Sequence, residues 1–439
     1  MADVGVRPYW ELTFDADGDP NPAQRDRLIA QAHERGVTDL LVFAHGWNND
    51  RSIATELYRR FFAPFPGLAP GVKLGYVGVL WPAMRFSDEP IPDFDPAVLG
   101  AMAAVAEGAS EAEAEAEAEA ESELPEPAEM FPGSTDTLGR LQQLLDEQPE
   151  SEEALGEFGG LVRRLYDEQT TGHPEGFEAD TEEGAQGDRP AMLTEDVTAV
   201  CEAFAEASYG PLPESVRPLG MLRIWSGAKE LLRQTAYYVM KRRAGTVGQL
   251  GLGAVLGLLA QRAPQVRVHL IGHSFGGRLV SYALRGLPDK AHNVKSVTLL
   301  QGAFSHYAFA PRLPHQQSKS GALRGWQERV DGPVVCCFSK HDLALQVMYP
   351  LASRMARDSS SLLGFDRRWG AMGFDGVQAL DGTVRLTLRE ALRGPIPAVG
   401  CVNVDAAEVV HRGGPPIGAH SDICHKELAR LVISAGRIE

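Results

Sequence analysis

The chain has 439 residues, 44% of them hydrophobic and 23% charged, ordinary figures for a globular protein that can bury a large core without disulfides. The net charge of −17 argues against nucleic acid or anionic lipid as a partner. The acid is concentrated, with about 34 acidic and about 6 basic side chains in residues 83–218, so the remainder is net basic and that exclusion weakens.

The five cysteines (Cys201, Cys336, Cys337, Cys401, Cys424) are an odd number without framework spacing, and the N-terminus lacks the basic start and apolar core of a signal peptide. A reducing cytoplasm is expected.

Tyr9 to Phe14 reads as an edge strand, and Pro22 to Arg35 as a helix stopped by Gly36. Leu40 to Ala44 and Leu74 to Trp81 are continuous apolar runs, the pattern of strands buried on both faces, with a helix over Ser52 to Phe62 between them. This alternation predicts an α/β fold with a mostly parallel sheet and right-handed crossovers.

The acidic stretch 83–218 then interrupts the body, dividing it into 1–82 and 219–439. Within it, Glu111 to Glu121 alternates Glu and Ala, residues that disfavour strands and here leave no apolar stripe, so a solvated linker or marginal helix is expected. Leu138 to Leu145, Leu155 to Tyr166 and Val197 to Ala207 show helical spacing and suit a small cap. The insertion is therefore expected to be partly helical and partly disordered.

Met221 to Tyr238 reads as a long helix returning to the body. Thr246 to Ala260 is apolar but short for a membrane span and carries four glycines, so it reads as a buried helix and no transmembrane segment is expected. Strands follow at Val266 to Ile271, Val294 to Leu300, Val334 to Phe338 and Val399 to Val404, with helices at Phe275 to Arg285 and Glu427 to Ser434. Asp381-Gly382 suggests a hairpin joining Val377–Leu380 to Thr383–Thr387.

Gly272-His273-Ser274-Phe275-Gly276 joins the first of these later strands to its helix. A G-x-S-x-G turn in that setting exposes a serine at the carboxyl end of a sheet, and its glycines sit where a Cβ would collide with the adjacent strand and helix. An oxyanion hole there needs two backbone donors: the amide of Phe275 and one from an early strand-to-helix loop. Trp47, in Ala44-His45-Gly46-Trp47-Asn48-Asn49, is the expected second donor, Asn48 the alternative, and His45 reads as a loop brace.

A serine nucleophile needs a base and a group that orients it, in the chain order Ser, acid, His. Asp342 follows the strand Val334–Phe338 directly and could also cap the following helix. Asp331, Asp366, Asp375 and Asp381 are less well placed. His420, in Gly418-Ala419-His420-Ser421-Asp422, follows the last strand, with His425 and His411 as alternatives. No zinc spacing, P-loop or dinucleotide fingerprint occurs, and no cofactor is implied.

At these residues the chain resembles the α/β-hydrolase superfamily, and more narrowly bacterial lipase- and esterase-like serine hydrolases. The likeness covers 38–82 and about 220–435. It implies catalytic roles for Ser274, Asp342 and His420, with the Trp47 and Phe275 amides binding the oxyanion, on a small-molecule or lipid ester. Trp47, Phe275, Phe304, Tyr307 and Phe309 could line an apolar cleft, and equally could belong to a buried core. A peptidase or thioesterase would use the same machinery. The acidic insertion precedes the serine turn, whereas many family members carry their lid later. It also supports a second expectation, an effector whose insertion recruits a protein partner or gates the site.

Overall fold

A computed structural model describes residues 4–47, 49–83, 131, 133–170, 177, 179–182, 190–209, 220–348, 370–414 and 418–439. The Glu/Ala tract, Asn48 and Asp366 lie outside them.

Eight strands form one sheet: β1 (Tyr9–Thr13), β2 (Asp39–Ala44), β3 (Leu74–Leu80), β4 (Arg267–His273), β5 (Val294–Leu300), β6 (Pro333–Phe338), β7 (Val384–Thr387) and β8 (Gly400–Asp405). Their order is β1-β3-β2-β4-β5-β6-β8-β7, and every pairing is parallel. All carboxyl ends therefore lie along one edge, with β4 near the middle.

The continuous apolar runs have a direct cause. In β2, Leu40, Val42 and Ala44 enter the core on one face, while Leu41 and Phe43 enter the core on the other. Val334 and Cys336 alternate with Val335 and Cys337 in the same way. Period-two alternation still operates, but both sides are apolar because helices cover both faces.

Helices α1 (Pro22–Glu34) and α2 (Arg51–Phe62) start as their sequences predict. The Asn21 side chain accepts from the Gln24 amide at 3.1 Å, with Pro22 opening the helix, and Asp50 accepts from the Ile53 amide at 2.8 Å. The insertion supplies α3 (Thr135–Glu147), α4 (Glu152–Thr170) and α5 (Val197–Tyr209), which pack on the returning helix α6 (Gly220–Thr246). Phe158 of α4 meets Trp225 of α6 edge to face, with centroids 5.7 Å apart. These helices share a hydrophobic core with one face of the sheet.

A π-type turn, Val247–Leu252, links α6 to α7 (Gly253–Arg262). The helical run 223–262 is long and apolar enough to cross a membrane, and 67% of its most apolar window is buried inside the fold. It packs on α8 (Phe275–Ala283), the helix after the serine turn. A Cβ at Gly248 would lie 2.2 Å from the Leu279 carbonyl oxygen, so glycine here sets the backbone-to-backbone approach of the two helices.

The expected hairpin at Asp381-Gly382 does not form. Val384–Thr387 is β7, an edge strand parallel to β8. Residue 377 is engaged instead by the Asn403 side chain, which accepts from the Val377 amide at 2.7 Å and donates to its carbonyl at 2.9 Å. Ala379 also adopts a φ of 54°, outside the strand region. The chain closes with α9 (Lys426–Gly436) against the second face.

Candidate active site

Ser274 ends the turn after β4 with φ 55° and ψ −121°, an unfavourable conformation for a residue with a Cβ. Such a backbone costs about 1–3 kcal/mol and persists only where its surroundings enforce it. Three bonds do so. The Ser274 amide donates to the Leu300 carbonyl at 3.0 Å, and the Ser274 carbonyl accepts from the amides of Gly277 at 3.0 Å and Ala303 at 3.2 Å. A Cβ at Gly272 would lie 2.3 Å from the Gly276 carbonyl oxygen, and one at Gly276 would lie 2.0 Å from that of Ala44. The two flanking glycines thus let strand, turn and helix nest.

The Ser274 hydroxyl donates to His420 Nε2 at 2.9 Å, and His420 Nδ1–H donates to Asp342 Oδ2 at 2.7 Å. A carboxylate only accepts, which places the imidazole proton on Nδ1 and leaves Nε2 open to the serine proton. Asp342 is fully buried, while the His420 side chain is 13% exposed. Its other oxygen accepts from the Leu345 amide at 3.0 Å, so Asp342 holds the start of the following segment as well as the histidine.

The acid and histidine loops are joined directly. Asp342 and Gly418 form an antiparallel bridge, and the Ala419 amide donates to the His341 carbonyl at 2.9 Å. Gly418 has φ 66°, and a Cβ there would lie 2.4 Å from the His341 oxygen and 2.7 Å from the Leu343 nitrogen. Gly418→Ala is therefore expected to push the two loops apart and slow any reaction that uses Ser274 by about 10²-fold. The rate of covalent labelling of Ser274, with circular dichroism as the fold control, measures this.

Neither alternative histidine joins this series. His425 Nε2 is bonded to Asp422 Oδ1 at 2.8 Å. The other oxygen of Asp422 accepts from the amides of His411 and Arg412, each at 2.9 Å. Among the described residues, neither His425 nor His411 is hydrogen-bonded to Ser274. Of the other aspartates, Asp331 pairs with Lys295 at 2.6 Å and Asp375 with His306 at 2.9 Å.

The loop after β2 lies against the serine, since a Cβ on Gly46 would lie 2.9 Å from Ser274 Cβ. The Gly46 carbonyl accepts from His45 Nδ1–H at 2.8 Å and from Asn49 Nδ2 at 3.2 Å. A trans peptide points its N–H opposite its C=O, so these bonds fix the direction of the Trp47 amide. His45 also stacks on Trp81, with centroids 5.6 Å apart at 16°. Burial pushes its pKa down to about 4, so it braces the loop as a neutral ring.

Phe275 begins α8, where amides lack intrahelical partners and the helix end carries partial positive charge. Trp47, Phe275 and Tyr237 of α6 form one aromatic cluster, with centroids 4.9 to 6.1 Å apart. Of the aromatics that suit either a cleft or the core, Phe304 and Phe309 are fully buried in the core, and Tyr307 packs on His306.

One feature of the surroundings escaped the sequence. Asp180, from the insertion, is buried beside α8. It accepts from Arg278 Nε at 2.9 Å, Lys241 Nζ at 2.8 Å and the Ser305 amide at 3.0 Å. Arg278 also donates to the carbonyls of Lys241 and Phe177, and Tyr282 to that of Ala179. The available signal was an arginine inside the apolar helix Phe275–Ala283, which demands a buried acceptor.

In comparisons with known proteins, the chain matches no family model, no curated protein and no solved structure.

Proposed function

We propose that this chain is a serine hydrolase of the α/β-hydrolase type that cleaves a carboxylic ester through an acyl-enzyme on Ser274. The observation that carries the reading is the hydrogen-bonded series Ser274–His420–Asp342, at 2.9 and 2.7 Å, assembled at the carboxyl ends of β4, β8 and β6. In this mechanism His420 takes the hydroxyl proton as Ser274 Oγ attacks the ester carbonyl. Asp342 stabilises the imidazolium that forms. The Phe275 and Trp47 amides receive the oxyanion. His420 then protonates the departing alcohol and later activates water, which releases the acid and restores Ser274.

The aromatic cluster of Trp47, Phe275 and Tyr237 suits an apolar acyl group, such as that of a small or lipid ester. The five free cysteines, four of them buried, fit a reducing compartment, and we propose a cytoplasmic location.

A fluorophosphonate probe and a short-chain nitrophenyl ester test the reading. Wild type is expected to be labelled and active, and Ser274→Ala neither. A second reading, in which the insertion gates the site, draws on the docking of Asp180 against α8. It predicts that unlabelled wild type becomes reactive once the Glu/Ala tract at 111–121 is trimmed. Absence of labelling in both forms sinks both readings.

A further inference from the structure

His273, the residue before the nucleophile, takes no part in the proton transfer described above. It is 2% exposed, and its Nε2–H donates to the backbone carbonyl of His420 at 2.9 Å. A carbonyl can only accept, so the proton sits on Nε2 and Nδ1 is a bare acceptor. That Nδ1 is buried without a hydrogen-bond partner, and a Cβ on Gly46 would lie 3.1 Å from it. Leaving a buried acceptor unsatisfied carries a desolvation cost that an aliphatic side chain would avoid. The imidazole therefore needs a reason to be there.

The reason lies in how the histidine loop is held. Its bridge at Gly418 and the bond from Ala419 tie it to the acid loop. Among the described residues, only the His273 bond ties the backbone at 418–422 to the nucleophile strand. The donor is also neutral. Burial first, then the neighbouring His420 and His45, push the His273 pKa down to about 3. The two rings are 5.1 Å apart, so a charged donor would oppose the imidazolium that His420 becomes.

We infer that His273 is a positioning residue: its Nε2–H tethers the His420 backbone to β4, so that one imidazole spans both Ser274 and Asp342. This rests on reading Ser274, His420 and Asp342 as the reacting groups.

The test compares His273→Leu, which fills space without a donor, with His273→Gln, whose amide nitrogen reaches about as far as imidazole Nε2. Two readouts are taken on the full chain: the rate of fluorophosphonate labelling, and the low-field proton resonance of the His420 Nδ1–H···Asp342 bond. His273→Leu is expected to label about 10²-fold more slowly and to lose or broaden the resonance, while His273→Gln recovers most of both. A folded His273→Leu that labels at the wild-type rate overturns the tether and leaves the hydrolase reading standing.

If neither wild type nor the trimmed form is labelled, the hydrolase reading falls and the resonance decides alone. A resonance unchanged in His273→Leu rejects the tether, and its loss with rescue by glutamine supports it. Should His273→Leu fail to fold, His273→Asn, whose amide stops short of the carbonyl, replaces it in the comparison.

Discussion

Asp342→Asn is expected to lower turnover of an activated ester about 10⁴-fold while the protein stays folded. The two carboxylate oxygens have different tasks. One accepts from the Leu345 amide at 3.0 Å, the other from His420 Nδ1–H at 2.7 Å. Asparagine matches the shape but has one acceptor and one donor. With its NH₂ toward His420, it requires the imidazole to carry its proton on Nε2, where the ring can no longer accept from Ser274. With its NH₂ toward Leu345, two donors face each other in a fully buried place. Both orientations also remove the negative charge that would stabilise an imidazolium in the proposed mechanism. The measurement is steady-state hydrolysis of a nitrophenyl ester, with thermal unfolding as the control. Wild-type turnover in a folded Asp342→Asn would remove Asp342 from this role.

Much of this arrangement was legible in the sequence because its causes are local. Strands buried on both faces leave unbroken apolar runs, and β2, β3 and β5 fall where those runs predict. The turn at Ser274 announces itself because its glycines answer steric demands within five residues. Asp342 was legible by position, just beyond β6, and His420 by its place between the last strand, β8, and the closing helix α9.

What the sequence hid depends on partners far along the chain. Asp180 and Arg278 are 98 residues apart, and nothing near Asp180 marks it as the partner of a particular cation. The His273 bond spans 147 residues and ends on a backbone carbonyl, which every residue has. The false hairpin has the opposite origin. Asp381-Gly382 does turn the chain, with Gly382 at φ 78°, but the Asn403 side chain engages the backbone before it and the strand after it pairs with β8. Turn chemistry constrains the turn, and the sheet chooses the partner.

The buried charge cluster at Asp180 carries the largest expected effect on stability. Removing one member of a buried ion pair costs about 3–5 kcal/mol, because the remaining charge stays desolvated. Asp180→Ala takes the carboxylate away from two cations at once, Lys241 at 9% and Arg278 at 0% side-chain exposure. A loss of about 3–5 kcal/mol in unfolding free energy at neutral pH is therefore expected. Asp180→Asn, which keeps an acceptor for the Ser305 amide, should lose less.

Acid supplies the second arm of this test. Burial alone would raise the Asp180 carboxyl pKa, but Lys241 and Arg278 overcome it and hold that pKa well below the usual carboxylate range. A depressed folded pKa adds stability above the unfolded value of about 3.9, and that contribution drains away as pH falls through the folded value. Wild type should therefore lose this share of its stability below about pH 4, whereas Asp180→Ala has none of it to lose. In urea unfolding, the gap between the two should narrow from pH 7 towards about pH 3. A gap that stays constant would mean that Asp180 stabilises the strap at 179–182 by its shape and backbone bonds, and not by its charge.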